Sequence, residues 1–446
     1  MNLEFNNRLK AFLDAGKPFV LATVIKIRGS ASAKPGSKAL INASGQNVMG
    51  WVGGGCAESL VRQEALQAME DGRPRIVNVD LEDEVLGVGM PCGGAMDVYI
   101  EPILPPRKLV VAGQNKLARH LNLLASMMGY AVTVHGPGVA QDHFPGAAAV
   151  IAEPWEALRL ESGDAMIATP EHEGQLAVLR AGIASDPNYF AFVARRKISR
   201  ELLKKIAAEG VDPAALRRVR TPAGLDLGGK TVEEISLSIL VELMAQERGR
   251  TGRSLRAVKG MPLPPERTAP TLTTETPELL VVGQGRLTEE LARLGALMGY
   301  PVTINCTSAN PDDYPAPTCL ITGDLDFSQF RITPRTHVVI ATLHKGDHLS
   351  MLKAMEQDAP YIGLIASKKR SGLVLEFLRS KGVPEAKMAN VFAPAGLDIG
   401  TTNPAEIALS IMSEIVLIAR GGSGKPLADV EKTSGGTGET CQDLFT

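Results

Sequence analysis

LVVAGQNKLARHLNLLASMMGYAVTV (residues 109–134) and LLVVGQGRLTEELARLGALMGYPVTI (residues 279–304) are two versions of one pattern. Each runs from an apolar strand through a glycine turn and an amphipathic helix to a second apolar strand, which is the βαβ signature of a parallel sheet. The likeness returns farther on, where TPAGLDLGGKTVEEISLSILVELM at 221–244 matches APAGLDIGTTNPAEIALSIMSEIV at 393–416. Gly113 and Gly283 lie 170 residues apart, and Gly224 and Gly396 lie 172 apart. A match at both ends of so long a unit describes a duplicated domain, not a solenoid, whose periods run about 20–50 residues.

The chain therefore reads as an α/β protein: a unique N-terminal α/β module followed by two tandem Rossmann-like parallel-sheet domains. We expect the N-terminal module over 1–106, the first Rossmann-like repeat over 107–249, a Pro/Thr-rich linker over 250–277, the second repeat over 278–421 and a flexible Gly/Ser/Thr-rich tail over 422–446. In the N-terminal module, helices are expected over Leu3–Ala15 and Ala57–Met69. Strands are expected over Phe19–Ile27, Lys38–Ile41, Val48–Val52, Ile76–Val79 and Met96–Ile100. Each repeat closes with a capped helix, signalled by Thr231 with Glu234 and by Asn403, Pro404 and Glu406.

Composition narrows the function. With 446 residues, about three domains are expected. A formal charge of −2 leaves no basic footprint for nucleic acid, and 4% aromatic content gives no stacking platform for single strands. No apolar run approaches the ~20 residues a membrane span needs. The N-terminus alternates charged and apolar residues, unlike a signal peptide. Five cysteines, an odd number, fit free thiols in a reducing cytoplasm.

Four constellations could carry chemistry. In Gly50-Trp-Val-Gly53-Gly54-Gly55-Cys56-Ala-Glu58, glycines between a strand and a helix let the backbone approach a bound group. Cys56 falls at the helix N-terminus, where a thiolate is stabilised, and Glu58 in the first turn. A tight turn around a small buried cysteine is the competing reading. Gly87-Val-Gly-Met-Pro-Cys92-Gly93-Gly94 is a second cysteine in glycine-rich backbone, for which a bulge or turn competes. Neither has the CxxC spacing of a zinc site, so two separated thiolates point to sulfur transfer or to a soft metal.

The third constellation is the pair of glycine turns. Against the dinucleotide pattern GxGxxG, the first copy keeps one glycine, Gly113, while the second keeps Gly283 and Gly285. The acidic residue that would hold a ribose is absent: His135 and Asn305 stand at the second-strand ends. The fourth is a basic turn after an apolar strand, Arg195-Arg196-Lys197 in copy one and Lys368-Lys369-Arg370 in copy two. Such a turn lies at the carboxyl edge of the sheet and suits a phosphate, or is merely a solvated helix start. His344, Asp347 and His348 follow another strand and read as capping or phosphate contacts rather than as a metal site.

Together these residues resemble the xanthine dehydrogenase accessory factor family, the XdhC/CoxI proteins. The resemblance rests on ATV…RGSAS…PGSK…GWVGGGCAE…PCGG in the N-terminal module. In the second repeat it rests on the glycine turn, the H-x-x-D segment at 344–347, the I-x-S-K-K-R turn at 365–370 and PAGLDIG…PAEIALSI. It implies a cytoplasmic maturation factor or chaperone rather than a stand-alone enzyme. Such a factor binds the molybdenum cofactor (molybdopterin) and assists its sulfuration and its insertion into a hydroxylase of the xanthine or carbon monoxide dehydrogenase type. Its expected partners are that hydroxylase and a cysteine desulfurase or other sulfur donor, with room for a homodimer. On this reading Cys56 and Cys92 contact molybdenum or pass sulfur, Glu58 activates the thiol, and Gly53, Gly54, Gly55, Gly93 and Gly94 cradle the cofactor. Gly283, Gly285, Lys368, Lys369 and Arg370 would take a phosphate or nucleotide in the second Rossmann module. The chain departs from the family in having two Rossmann modules. Copy one has also lost a turn glycine and the D of H-x-x-D, where Gln175 aligns. An NAD(P)-dependent oxidoreductase, or a non-catalytic scaffold joining hydroxylase and sulfurtransferase, are the alternatives.

Overall fold

A computed structural model describes residues 3–29, 31–80, 94–161, 163–260, 276–324, 329–342 and 346–429. The chain divides into two compact units, 1–107 and 108–446.

In the first unit the elements are α1 (Leu3–Asp14), β1 (Phe19–Gly29), β2 (Lys38–Asn42), β3 (Asn47–Gly50), α2 (Gly55–Asp71), β4 (Arg75–Asp80) and β5 (Gly94–Ile103). The strands form one antiparallel sheet in the order β3-β2-β1-β5-β4. Val20, Ala22 and Val24 of β1 alternate onto one face and pack with Val61, Ala65 and Ala68 of α2, closing the core of this unit. A left-handed Gly72 ends α2, the usual device for turning a chain off a helix.

The second unit carries both repeats. Copy one comprises β6 (Lys108–Ala112), α3 (Lys116–Met127), β7 (Ala131–His135), β8 (Ala149–Ile151), β9 (Ala165–Ala168), α4 (Gln175–Ser185), β10 (Tyr189–Phe192), α5 (Arg196–Ala208), α6 (Pro213–Arg217), β11 (Val219–Arg220) and α7 (Val232–Glu247). A short α8 (Leu255–Val258) follows. Copy two comprises β12 (Glu278–Gly283), α9 (Arg286–Leu297), β13 (Val302–Cys306), β14 (Cys319–Thr322), β15 (Thr336–Ala341), α10 (Asp347–Glu356), β16 (Tyr361–Leu364), α11 (Lys368–Ser380), α12 (Glu385–Met388), β17 (Val391–Phe392) and α13 (Pro404–Arg420).

Each copy folds as a six-stranded parallel sheet, β8-β7-β6-β9-β10-β11 and β14-β13-β12-β15-β16-β17. Numbered within each copy, this is the doubly wound order 3-2-1-4-5-6, with the reversal of direction between the first and fourth strands. The fold class expected from the duplicated βαβ pattern is the one observed.

The two sheets share one core. Helices α3 and α7 of copy one and α9 and α13 of copy two lie between them, and their apolar residues form a single cluster. That is why LSILVELM in α7 is buried all round and apolar except for Ser238 and Glu242: both its faces are covered. The capping box expected at Thr231 and Glu234 is present, with both reciprocal bonds. At the equivalent place Asn403 accepts from the Glu406 amide, but the Glu406 carboxylate turns to the Thr402 amide and to Arg248 of the other copy.

Among the described residues, two ion pairs related by the duplication cross the interface. Arg248 at the end of α7 grips Glu406 in the first turn of α13, and Arg420 at the end of α13 grips Glu234 in the first turn of α7. Arg248 and Arg420 are 172 residues apart, as are Glu234 and Glu406, so the two pairs exchange under an internal two-fold. Residues 250–258 and 422–429, read from composition as linker and tail, instead make ordered contacts across this interface. Their glycines, prolines and serines serve tight turns against the opposite copy.

Candidate functional site

In the first unit, β3 ends at Gly50, where glycine is obligatory: φ is +81 and a Cβ there would lie 2.1 Å from the Lys38 carbonyl oxygen. The chain then crosses the glycine loop into α2. Gly53 has φ +135, and a Cβ on it would meet Met96 Cε at 2.9 Å. Gly54 is the N-cap of α2 and no side chain caps that end. Cys56 is the second residue of the helix. Glu58 lies in the first turn, and its Oε1 accepts from Asn47 Nδ2 at 3.2 Å. The same amide donates to the Gly50 carbonyl at 3.1 Å, so Asn47 ties both ends of the loop. Trp51 stands 41% exposed beside it.

Cys92 and Gly93 lie outside the described residues. Gly94 opens β5, and Met96, two residues on, is the side chain under Gly53. The strand that follows the second cysteine motif thus packs under the glycine loop of the first through Met96. An uncapped helix start beside a glycine backbone suits an anionic group. Among the described residues no cluster of three His, Cys, Asp or Glu side chains could hold a metal ion. Two further cysteines are free: Cys306 is buried at the end of β13, where burial pushes its thiol up, and Cys319 is exposed on β14.

In copy two, a crevice of about 540 Å³ opens at the carboxyl edge of the sheet, where the strand order reverses. It is lined by Gln284, Gly285, Arg286, Tyr314, Thr342 and Ile365, among others. Gly283 is forced by packing, since a Cβ would lie 2.4 Å from the Ala341 oxygen. Gly285 differs: with φ +101 and nothing within 4 Å of an added Cβ, it faces open space at the uncapped start of α9. Asn305, at the position of the ribose carboxylate, is buried and donates to the Asp324 carbonyl at 2.6 Å. Arg286 at the rim is paired with Glu289 and Glu290.

The basic turn begins three residues after the crevice-lining Ile365. Ser367 caps α11 by accepting from the Arg370 amide; Lys368 and Lys369 are exposed and Arg370 is half-buried. The glycine turn and the basic turn therefore share one sheet edge. His348 packs its ring edge-on to Phe377 at 4.7 Å, while His344 is outside the described residues.

Copy one closes the same place with its own side chains. Asn115, where copy two has Gly285, caps α3 by accepting from the Ala118 amide and donates to the Thr169 carbonyl at 2.8 Å. Trp155 lies between Gly136 and Gly174, close enough that a Cβ on either would strike its ring. Arg196 of this copy's basic turn donates to the Leu427 carbonyl at 2.9 Å. The Asn115 cap had a readable signal, an Asn directly before a helix. Asn47 and Trp155 had none, because their partners are set only by the fold.

Fold and site together define a tandem Rossmann protein joined to a module that carries a cysteine in a glycine loop. The family model of the XdhC Rossmann domain matches residues 109–243 and again 279–415, and that of the XdhC and CoxI family matches residues 12–80. The chain belongs to this family. It is 33% identical over 154 residues to the uncharacterized protein YqeB of Escherichia coli (strain K12), covering 33% of this chain and 28% of that one. It is 31% identical over 149 residues to a probable xanthine dehydrogenase subunit of Bacillus subtilis (strain 168), covering 31% of this chain and 42% of that one. It is also 31% identical over 98 residues to the molybdenum cofactor insertion chaperone PaoD of Escherichia coli (strain K12), covering 22% of this chain and 30% of that one. The matches thus span less than half the length of these relatives. Among the described residues no helix is long and apolar enough to cross a membrane.

Proposed function

We propose that this chain carries the molybdenum cofactor as cargo, in the cytoplasm, and helps a molybdenum hydroxylase of the xanthine or carbon monoxide dehydrogenase type to acquire it in sulfurated form. The observation that carries the reading is the GWVGGGCAE loop: a glycine backbone runs into an uncapped helix start, with Cys56 in the first turn and Glu58 fastened by Asn47. The names of two relatives, an insertion chaperone and a xanthine dehydrogenase subunit, support it.

In this reading Cys56 and Cys92 supply soft thiolates toward the molybdenum end of the cargo. They could also receive the outer sulfur of a desulfurase persulfide, whose own sulfur leaves as thiolate. Glu58 takes up the thiol proton. The amides of Gly53, Gly54, Gly55, Gly93 and Gly94 face the cargo's anionic groups. Separately, the crevice of copy two takes a phosphate or nucleotide, with Gly283 letting the turn pack close to the neighbouring strand, Gly285 admitting the ligand, and Lys368, Lys369 and Arg370 supplying charge at the same edge. Copy one, filled by Asn115 and Trp155, has no such role.

The test is to purify the chain from a molybdenum-replete host, denature it, and assay pterin by fluorescence and molybdenum by mass spectrometry. Stoichiometric pterin, lost in Cys56→Ala and Cys92→Ala, is the expected result. If both variants retain pterin and still mature the client, the thiols are misassigned. If the wild type carries none under anaerobic, sulfide-rich handling, the scaffold reading replaces this one.

A further inference from the structure

After α7, residues 252–255 cross to copy two, and after α13, residues 424–427 cross to copy one. Gly252 donates its amide to the Asp398 carbonyl at 2.9 Å, and Gly424 donates to that of Asp226 at 2.8 Å. Asp398 returns a bond to the Arg253 carbonyl at 2.7 Å, and Asp226 to that of Lys425 at 2.7 Å. Leu255 donates to Gly396, and Leu427 to Gly224, both at 2.8 Å. Every residue in the first of each couple has its counterpart 172 positions away in the second. The Arg248–Glu406 and Arg420–Glu234 pairs obey the same exchange.

Reciprocity of this kind, in which residue i meets j and the counterpart of j meets the counterpart of i, is the mark of an isologous two-fold interface between separate protomers. None of these contacts involves residues 261–275, the stretch that completes the connection between the copies. Each arm pairs its backbone with the loop that leads into the other copy's final helix. Arg256 of the first arm also donates to the carbonyls of Ala389 and Val391 in copy two.

We infer that the two Rossmann copies are a complete dimer with exchanged arms, held together by this face alone, and that the occupant of each copy's helical face is the other copy of the same chain. Continuity of the chain through residues 261–275 is dispensable for their association, and this face offers nothing to a second chain. The inference is independent of what the protein carries.

The experiment cuts the connection in the full-length protein. A protease site is placed within 261–275, the purified chain is cleaved, and the product is sized by light scattering at low micromolar concentration. We expect both fragments in one particle with the mass of the uncut chain. Separation of the fragments, whether folded or aggregating, would overturn the inference. A second protein, cleaved in the same way but ending at Gly421, lacks the returning arm and should release its fragments at a concentration where the complete one does not. Equal retention by both would show that the arms are not part of the hold.

Discussion

The sharpest quantitative prediction concerns Glu414. Its carboxylate is fully buried in the interface, where Oε2 accepts from Tyr361 Oη at 2.8 Å and from the Gly396 amide at 2.7 Å, while Oε1 accepts from the Ser254 hydroxyl of the arm. Three donors favour the anion, but the loss of water outweighs them and burial pushes the group up to about 7 from an ordinary 4.5. The folded state therefore holds this proton more tightly than the unfolded chain does. Its contribution is complete below pH 4.5 and is lost as pH rises through 7. At about 1.4 kcal/mol per pH unit of separation, the loss is about 3 kcal/mol. Glu414→Gln mimics the protonated acid: the amide oxygen can accept from Tyr361 and Gly396, and the amide NH₂ can donate to Ser254. The variant should match the wild type near pH 4 and exceed it by about 3 kcal/mol near pH 8.5 in urea unfolding. His120 and His135, lowered by burial, act in the opposite direction but cancel in the difference between the two proteins. A difference that stays flat with pH would refute the reasoning.

Other expectations follow from the same geometry. Glu242, the counterpart of Glu414, accepts from Tyr189 and Gly224, but its Oε1 has no partner because Pro426 stands where copy two is met by Ser254. Glu242→Gln leaves a buried NH₂ unpaired and should cost about 1–3 kcal/mol at low pH, a cost that shrinks as pH rises because burial pushes Glu242 up as well; urea unfolding beside Glu414→Gln checks it. Arg248→Gln and Arg420→Gln should each cost about 3–5 kcal/mol with little salt dependence, since each strands a nearly buried glutamate; chemical denaturation with and without 0.5 M salt (about a fourfold shorter screening length than at 0.03 M) checks both. Gly285→Ala meets no side chain but forces an L-residue to φ +101, so thermal melting should show a loss of about 1–3 kcal/mol, and pyrophosphate binding by calorimetry should weaken. Asn47→Ala frees Glu58 and should slow iodoacetamide labelling of Cys56 several-fold while costing about 1 kcal/mol of stability; unchanged labelling would remove Asn47 from the site.

The Rossmann sheets were legible because their causes are local. Apolar strands, a glycine turn and an amphipathic helix follow one another within about thirty residues, and the duplication states the pattern twice. The continuous apolar run of α7 was equally readable as a buried helix, though not what buries it. Arg248 and Glu406 are 158 residues apart, and no local spacing links them. Only the common shift of 172 hints that both ends of a contact were copied together. The arms were misread because glycine, serine and proline are used alike by disordered linkers and by tight turns. In the candidate site, the loss of a glycine at Asn115 was visible, but whether the gap was closed by that side chain or by a ligand depends on Trp155 and Thr169, which the fold brings from distant strands.

The covalent joining of the two copies has a consequence for how each can vary. When one gene supplies both halves of a symmetric assembly, any substitution strikes both at once, and a change that suits one half must be tolerated by the other. Within a single chain that coupling is gone. Ser254 opposite Pro426, and Gly285 opposite Asn115, are pairs of choices that a true homodimer could not make, and they let one half keep its opening while the other seals it.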